Sequence, residues 1–253
     1  MSIQDPPHSL PARRHVRARH ARTHERSAGA VPGTIAVVHR GESEASLGLL
    51  ADVLETGPLA SRIIRVDRGQ ALPDVHTISV AVSLGGLEPT ADAQPAGVTT
   101  EIDWLRRAHD AGVRLLGIGS GSHALAVALG GATAPAPRGQ HGWRSVASSE
   151  PRLIATGPWF SWSDRTIRLP PGAELLAHDN SGPQVFRVGR HLGIHFHPEA
   201  TPEIIGGFLR ERHRAGIDTQ GVVEAAVRDF TRTTANAYRL LSGVLDSVSL
   251  IPH

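Results

Sequence analysis

Two short stretches of this sequence carry residue types and spacings that could do chemistry. In Gly193-Ile-His-Phe-His-Pro-Glu199, His197 and Glu199 stand two residues apart. A carboxylate at that distance can orient an imidazole, and the pair can act as a general base. In Leu115-Leu-Gly-Ile-Gly-Ser-Gly-Ser-His123, a buried-strand run passes through a Gly-rich turn into a helical run. Such an elbow presents its turn residue at the carboxyl end of a sheet, beside free N–H groups and the positive end of a helix. A nucleophile there, with His197 as base, would do acyl transfer. The chain has no cysteine, and the turn residue is Gly119. Ser120 and Ser122 flank it, Ser122 placed to cap the helix that runs to Leu129.

The elements that must position these residues follow from periodicity. Thr34–His39, Ser61–Val66, Thr77–Leu84 and Val113–Ile118 are short apolar runs, read as buried strands. Between them lie helical patterns at Ser43–Leu54 and Thr99–Ala111, the latter with Trp104, Leu105 and Ala108 on one face. Alternating strands and helices predict a parallel sheet covered on both faces. From Gly139 to Ile194 the pattern changes. Leu153–Thr156, Thr166–Leu169, Glu174–Ala177, Gln184–Val188 and Leu192–His197 are short strand-like runs separated by turn residues. They predict a small antiparallel or mixed edge. Two helices close the chain, one capped by Thr201 with Pro202 at its start and one over Thr219–Val244, in one or two pieces.

The order of motifs resembles the class I glutamine amidotransferases, of the GMP synthase glutaminase type. The elbow is similar to that family's Gly-Ile-Cys-x-Gly-x-Gln followed by a helix ending in Gly-Gly; Gly117, Ile118, Gly121, Ala126, Leu129, Gly130 and Gly131 match. The family's Cys falls on Gly119 and its Gln on His123. His197 and Glu199 take the places of the catalytic base and its carboxylate, and His195 stands where the family has Gln. Ser83-Leu-Gly-Gly-Leu-Glu-Pro89 resembles the Gly-Gly-Pro loop, which in the family lends a backbone N–H to the oxyanion hole; Gly85 and Gly86 are its glycines. Phe160-Ser-Trp-Ser-Asp-Arg165, before Leu169-Pro-Pro-Gly172, resembles a Phe-x-Trp-His segment, with Ser163 in place of His and Arg165 in place of an acid.

The resemblance covers about residues 33–215. It implies a three-layer α/β fold with a mostly parallel, flavodoxin-like central sheet and a small antiparallel edge. Residues 1–31, basic and without apolar periodicity, read as a disordered or loosely docked arm, and 32–253 as a single amidotransferase-like domain with a C-terminal helical extension.

Glycine cannot attack an amide, so glutamine hydrolysis is not expected. A missing side chain predicts a pocket larger by that much. Three readings stay open. His197 and Glu199 act as a general base on a different small substrate, amino-acid-like or amide-containing, in specialised metabolism. Alternatively, the chain is a noncatalytic pseudoenzyme that binds a ligand or a partner. In the third, Ser120 is a nucleophile with His197 as base. The ligand-contact candidates are Gly85, Gly86, Gly119, Ser120, Gly121, His123, Trp162, Ser163, Arg165 and His195.

Composition excludes several other classes. Zero cysteines rule out disulfides and Cys-ligated zinc. His195 and His197 alternate as ligand pairs do, but no third ligand has a suitable spacing, so neither a metal nor a cofactor is expected. Every basic residue is Arg, and the net charge is only +2, which gives no case for a nucleic-acid surface. No run approaches the ~20 apolar residues of a membrane helix, and no apolar leader is present. The expectations are a cytoplasmic protein, a small-molecule ligand, a synthetase or biosynthetic partner, and homodimer packing through the last helix.

Overall fold

The computed structural model describes residues 33–40, 47–86, 97–214 and 220–249. The arm at 1–31 lies outside them. Five strands form the parallel part of an eight-stranded sheet: β1 (Thr34–His39), β2 (Ala60–Arg65), β3 (Val80–Gly85), β4 (Arg114–Ile118) and β10 (His191–Ile194). Their spatial order is β2-β1-β3-β4-β10, which places the topological switch beside β1. Three antiparallel strands extend the sheet past β10: β9 (Gly182–Val188), β8 (Glu174–Asp179) and the two-residue β6 (Ala147–Ser148).

Helices cover both faces. On one, α1 (Leu49–Thr56) and α5 (Gln220–Ser249) pack Leu50, Leu54, Leu240 and Leu241 onto Val37, Val82, Ile118 and Ile194. On the other, α2 (Val98–Asp110) and α3 (Ser120–Ala128) pack Trp104, Leu105 and Leu125 onto Ala36, Ala81 and Leu115. Burying each large side chain contributes about 1.5–3 kcal/mol. The inner strands β1, β3 and β4 are buried on both faces because both are covered, whereas the edge strand β2 leaves Ala60–Ile63 exposed. The expected three-layer α/β fold is what the chain adopts.

Outside the main sheet, β5 (Ala132–Arg144) and β7 (Trp159–Arg168) form a two-stranded antiparallel hairpin. It carries Phe160 and Trp162 against α4 (Pro202–Arg214), where Phe208 meets both rings. Thr201 begins α4 as expected, its hydroxyl accepting from Ile204 N at 3.3 Å.

Several local expectations are corrected. Leu153–Thr156 is turn and bend rather than strand. Its apolar side chains are drawn into the core, where Ile154 is fully buried. Ser122 does not cap α3, since the cap position is Gly119 and Ser122 Oγ donates to Gly119 O within the first turn, at 2.6 Å. Strand β10 ends at Ile194, so His195 and His197 lie in the irregular segment beyond it rather than on one strand face. The final helix is one piece.

Candidate functional site

The site lies at the carboxyl ends of the parallel strands, where open α/β sheets bind their ligands. His39 ends β1, Ser83 and Gly85 end β3, Gly119 follows β4 and His195 follows β10. Gly119 N donates to Ile194 O at 2.9 Å, so the elbow and the His195–Glu199 segment start from one ladder.

Gly119 has φ 56° and ψ −127°, a conformation that glycine takes without strain. Its neighbour Gly121 is needed for close approach, since a Cβ there would lie 1.9 Å from Ser83 O. The space beside Gly119 is filled. A Cβ at this position would lie 2.2 Å from His197 Cε1 and 2.8 Å from His197 Nε2. The expected enlargement of the pocket is therefore not found at this point, because the imidazole stands where the extra side chain would be.

His197 is fixed from several sides. Its Nδ1 lies 2.8 Å from Glu199 Oε1. A carboxylate only accepts, so Nδ1 carries the proton of this contact, while the ring turns Cε1 toward Gly119. Its backbone N donates to Phe160 O at 2.7 Å. The rings of Phe208 and Phe160 stand 5.2 and 6.2 Å from its own. Glu199 is buried; its carbonyl accepts from Leu49 N at 3.0 Å, and its Oε2 has no hydrogen-bond partner.

The Gly85–Gly86 loop docks on the elbow through Ser120. Ser120 Oγ accepts from Gly86 N at 2.9 Å and donates to Gly86 O at 2.8 Å. A Cβ on Gly85 would lie 1.9 Å from that hydroxyl. The single hydroxyl proton of Ser120 thus points at Gly86 rather than at His197.

The remaining candidates divide into two groups. His123 and His195 are both buried, with ring centroids 4.7 Å apart on the α3 side of the elbow. Burial above all, then the nearby His123, His197 and Arg144, hold the His195 imidazole well below its usual pKa. Trp162 is brought to the aromatic group around His197, through Phe160 and Phe208. Ser163 and Arg165 are not drawn in the same way. Ser163 Oγ accepts from Arg165 N at 3.0 Å, and the Arg165 guanidinium donates to Thr133 Oγ1 at 2.8 Å across the hairpin.

Sequence reasoning missed three polar residues. His39 is buried at the end of β1; burial and Arg65 push its pKa down to about 4, with Asp67 and Glu199 pulling the other way. Its strand-end position was the available signal. Glu101 is fully buried on α2 and accepts from Ser83 Oγ at 2.5 Å and from Arg40 at 2.6 Å. It precedes Trp104, Leu105 and Ala108 at helical spacing, which places it on the inward face. Gln184, also buried, donates to Gln140 Oε1 at 2.8 Å behind His195. Among the described residues no group of three or more His, Cys, Asp or Glu could hold a metal ion.

Known proteins share the fold and part of the sequence. GMP synthase (glutamine-hydrolyzing) from Gloeobacter violaceus is 31% identical over 157 residues, 55% of this chain and 28% of that protein. The enzyme of the same name from Trichormus variabilis is 32% identical over 158 residues, 55% of this chain and 29% of that one. A glutamine amidotransferase structure from Thermotoga maritima superposes with a TM-score of 0.70 at 21% identity, over 85% of this chain and 98% of the other. Over about half of its length the chain is similar in sequence to these GMP synthases, and its fold is that of the glutamine amidotransferase structure. A second amidotransferase structure, from Methylobacillus flagellatus, gives a TM-score of 0.75 at 19% identity, over 88% of this chain and 98% of that one. No protein-family model matches the chain. The chain spans less than a third of the length of the curated GMP synthases it matches. Among its described residues, no helix is long and apolar enough to cross a membrane.

Proposed function

We propose that this chain is a divergent amidotransferase-like protein that does not hydrolyse glutamine, and that its elbow binds a small molecule. The observation that carries the reading is the overlap between a Cβ at residue 119 and the His197 ring. Gly119 takes the place of the family's cysteine in this reading, and the imidazole has closed over that place. Acyl transfer needs a nucleophile, a base and an oxyanion hole. The thiol nucleophile is absent from the sequence, the Ser120 hydroxyl is engaged by Gly86, and the oxyanion hole has its loop donor, Gly86 N, held by the same serine. Gly85, Gly86, Gly119, Gly121, His123, Trp162 and His195 are the ligand contacts in this reading. Since the relatives are GMP synthases, a synthetase-type partner in biosynthesis belongs to it as well.

A second reading is favoured by the His197–Glu199 bond of 2.8 Å. With Nδ1 held by Glu199, Nε2 is the atom of this buried dyad that can take a proton from a substrate without any nucleophile. The two readings separate by NMR with a defined set of amino acids and their amides. Binding alone broadens a ligand's lines and returns it unchanged. Conversion of any member, lost in His197→Ala, would put the general-base reading first.

A further inference from the structure

The hydroxyl of Ser120 does something no expectation assigned to it. A serine hydroxyl has one proton to give and lone pairs to accept with. Here both capacities are spent on the same residue, since Gly86 N donates to Ser120 Oγ at 2.9 Å and Ser120 Oγ donates to Gly86 O at 2.8 Å. The contact is partly buried and ties the loop after β3 to the first residue of α3.

The backbone around it is shaped for this contact. Gly85 has φ +66°, and a Cβ on it would lie 1.9 Å from Ser120 Oγ and 2.6 Å from Gly121 N. A Cβ on Gly86 would lie 2.6 Å from Arg40 O. Arg40 N in turn donates to Gly85 O at 2.7 Å. Beneath, the Arg40 guanidinium pairs with the fully buried Glu101 at 2.6 Å, and Ser83 Oγ donates to the same carboxylate. Both glycines and the buried ion pair therefore hold Gly86 against the serine.

A loop N–H beside a helix N-terminus ordinarily stabilises negative charge on oxygen. In this chain that N–H is occupied by an uncharged oxygen of the protein itself. An incoming oxyanion would have to displace the Ser120 hydroxyl from Gly86 N and break the paired hydrogen bonds between the two residues. It would also meet the second lone pairs of Ser120 Oγ. We infer that Ser120 is the specificity-determining residue of the elbow: it closes the loop's anion-binding donor, so that the site turns away carboxylates and other oxyanions and admits uncharged groups. The inference rests on the elbow being a ligand site.

Formate is a suitable probe, the smallest carboxylate that could reach the Gly86 amide. The ¹⁵N-labelled protein is titrated with sodium formate, against sodium chloride at equal ionic strength, while the Gly86 amide resonance is followed. The wild-type chain and Ser120→Thr, which keeps the hydroxyl, should show no saturable formate-dependent shift at Gly86. Ser120→Ala should gain one, with at least ten-fold tighter binding and an otherwise unchanged spectrum. Saturable formate binding at Gly86 in the wild-type protein would overturn the inference, as would a folded Ser120→Ala that gains none. Should Ser120→Ala not fold, the wild-type titration decides, together with hydrogen exchange: the Gly86 N–H should exchange at least a hundred-fold slower than an unprotected amide, and exchange near the unprotected rate would refute the contact. Glutamine turnover by the wild-type chain would sink the proposed function instead, leaving the response of Gly86 to formate to be read separately.

Discussion

The imidazole of His197 stands over the α-carbon of Gly119, so close that a Cβ on Gly119 would lie 2.2 Å from His197 Cε1. Residue 119 is held at φ 56° and ψ −127°. Any L residue there meets two penalties, backbone strain of about 1–3 kcal/mol and displacement of a buried ring. Gly119→Ala should therefore destabilise by ~2 kcal/mol or more, lowering the melting temperature by about 4–8 °C for a chain of this size. Calorimetry on the two proteins checks this. An unchanged midpoint would mean that His197 is free to leave. Gly119→Cys should behave alike and gain no glutaminase activity, because restoring the thiol does not restore the room for it.

The dyad makes a prediction about a proton. His197 Nδ1 faces Glu199 Oε1 at 2.8 Å, so neutral His197 should be the Nδ1–H tautomer. Long-range ¹H–¹⁵N correlation at neutral pH reads this from the ring nitrogen shifts. The Nε2–H tautomer would show that Glu199 does not orient the ring. In Glu199→Ala the preference should relax toward the mixture of a free imidazole.

Three buried histidines predict how stability follows pH. Burial pushes His39 and His191 down to about 4 from 6.5, and holds His195 well below 6.5. His191 is also lowered by His109, whose Nδ1 lies 2.8 Å from its Nε2, and by Arg190. A depressed histidine binds its proton more weakly in the folded chain than in the unfolded one. Its stabilising effect is full above pH 6.5 and is lost as the pH falls from 6.5 through 4. For His39 and His191 the loss is on the order of 3 kcal/mol each at most. Urea midpoints should fall over that window, and His191→Gln should make the fall shallower. A wild-type midpoint flat from pH 6.5 to 4 would contradict this.

Much of the architecture was legible. The alternation of short apolar runs with amphipathic ones marked β1 to β4, and the strand–Gly turn–helix pattern placed the elbow at Gly119; β10, expected in the antiparallel or mixed edge, instead pairs parallel with β4. The hairpin was not read, because Pro135, Pro137 and Gly139 punctuate β5 as breakers. The strand tolerates them with a register shift between Pro135 and Gln140. Leu153–Thr156 misled in the opposite sense, as an apolar run buried by packing without a ladder. Glu101 was overlooked because charge normally marks an outer face; here Arg40 and Ser83 meet it inside. Above all, the approach of His197 to Gly119 belongs to tertiary packing. Local pattern suggested an opened pocket at the very place where the ring sits.

The most direct measurement is glutamate and ammonia release from L-glutamine by the purified full chain at neutral pH. With no thiol in the sequence and His197 over the elbow, release should not exceed that of a buffer control, in wild-type protein and in Gly119→Cys alike. Sustained turnover by the wild-type chain, lost in His197→Ala, would contradict the account.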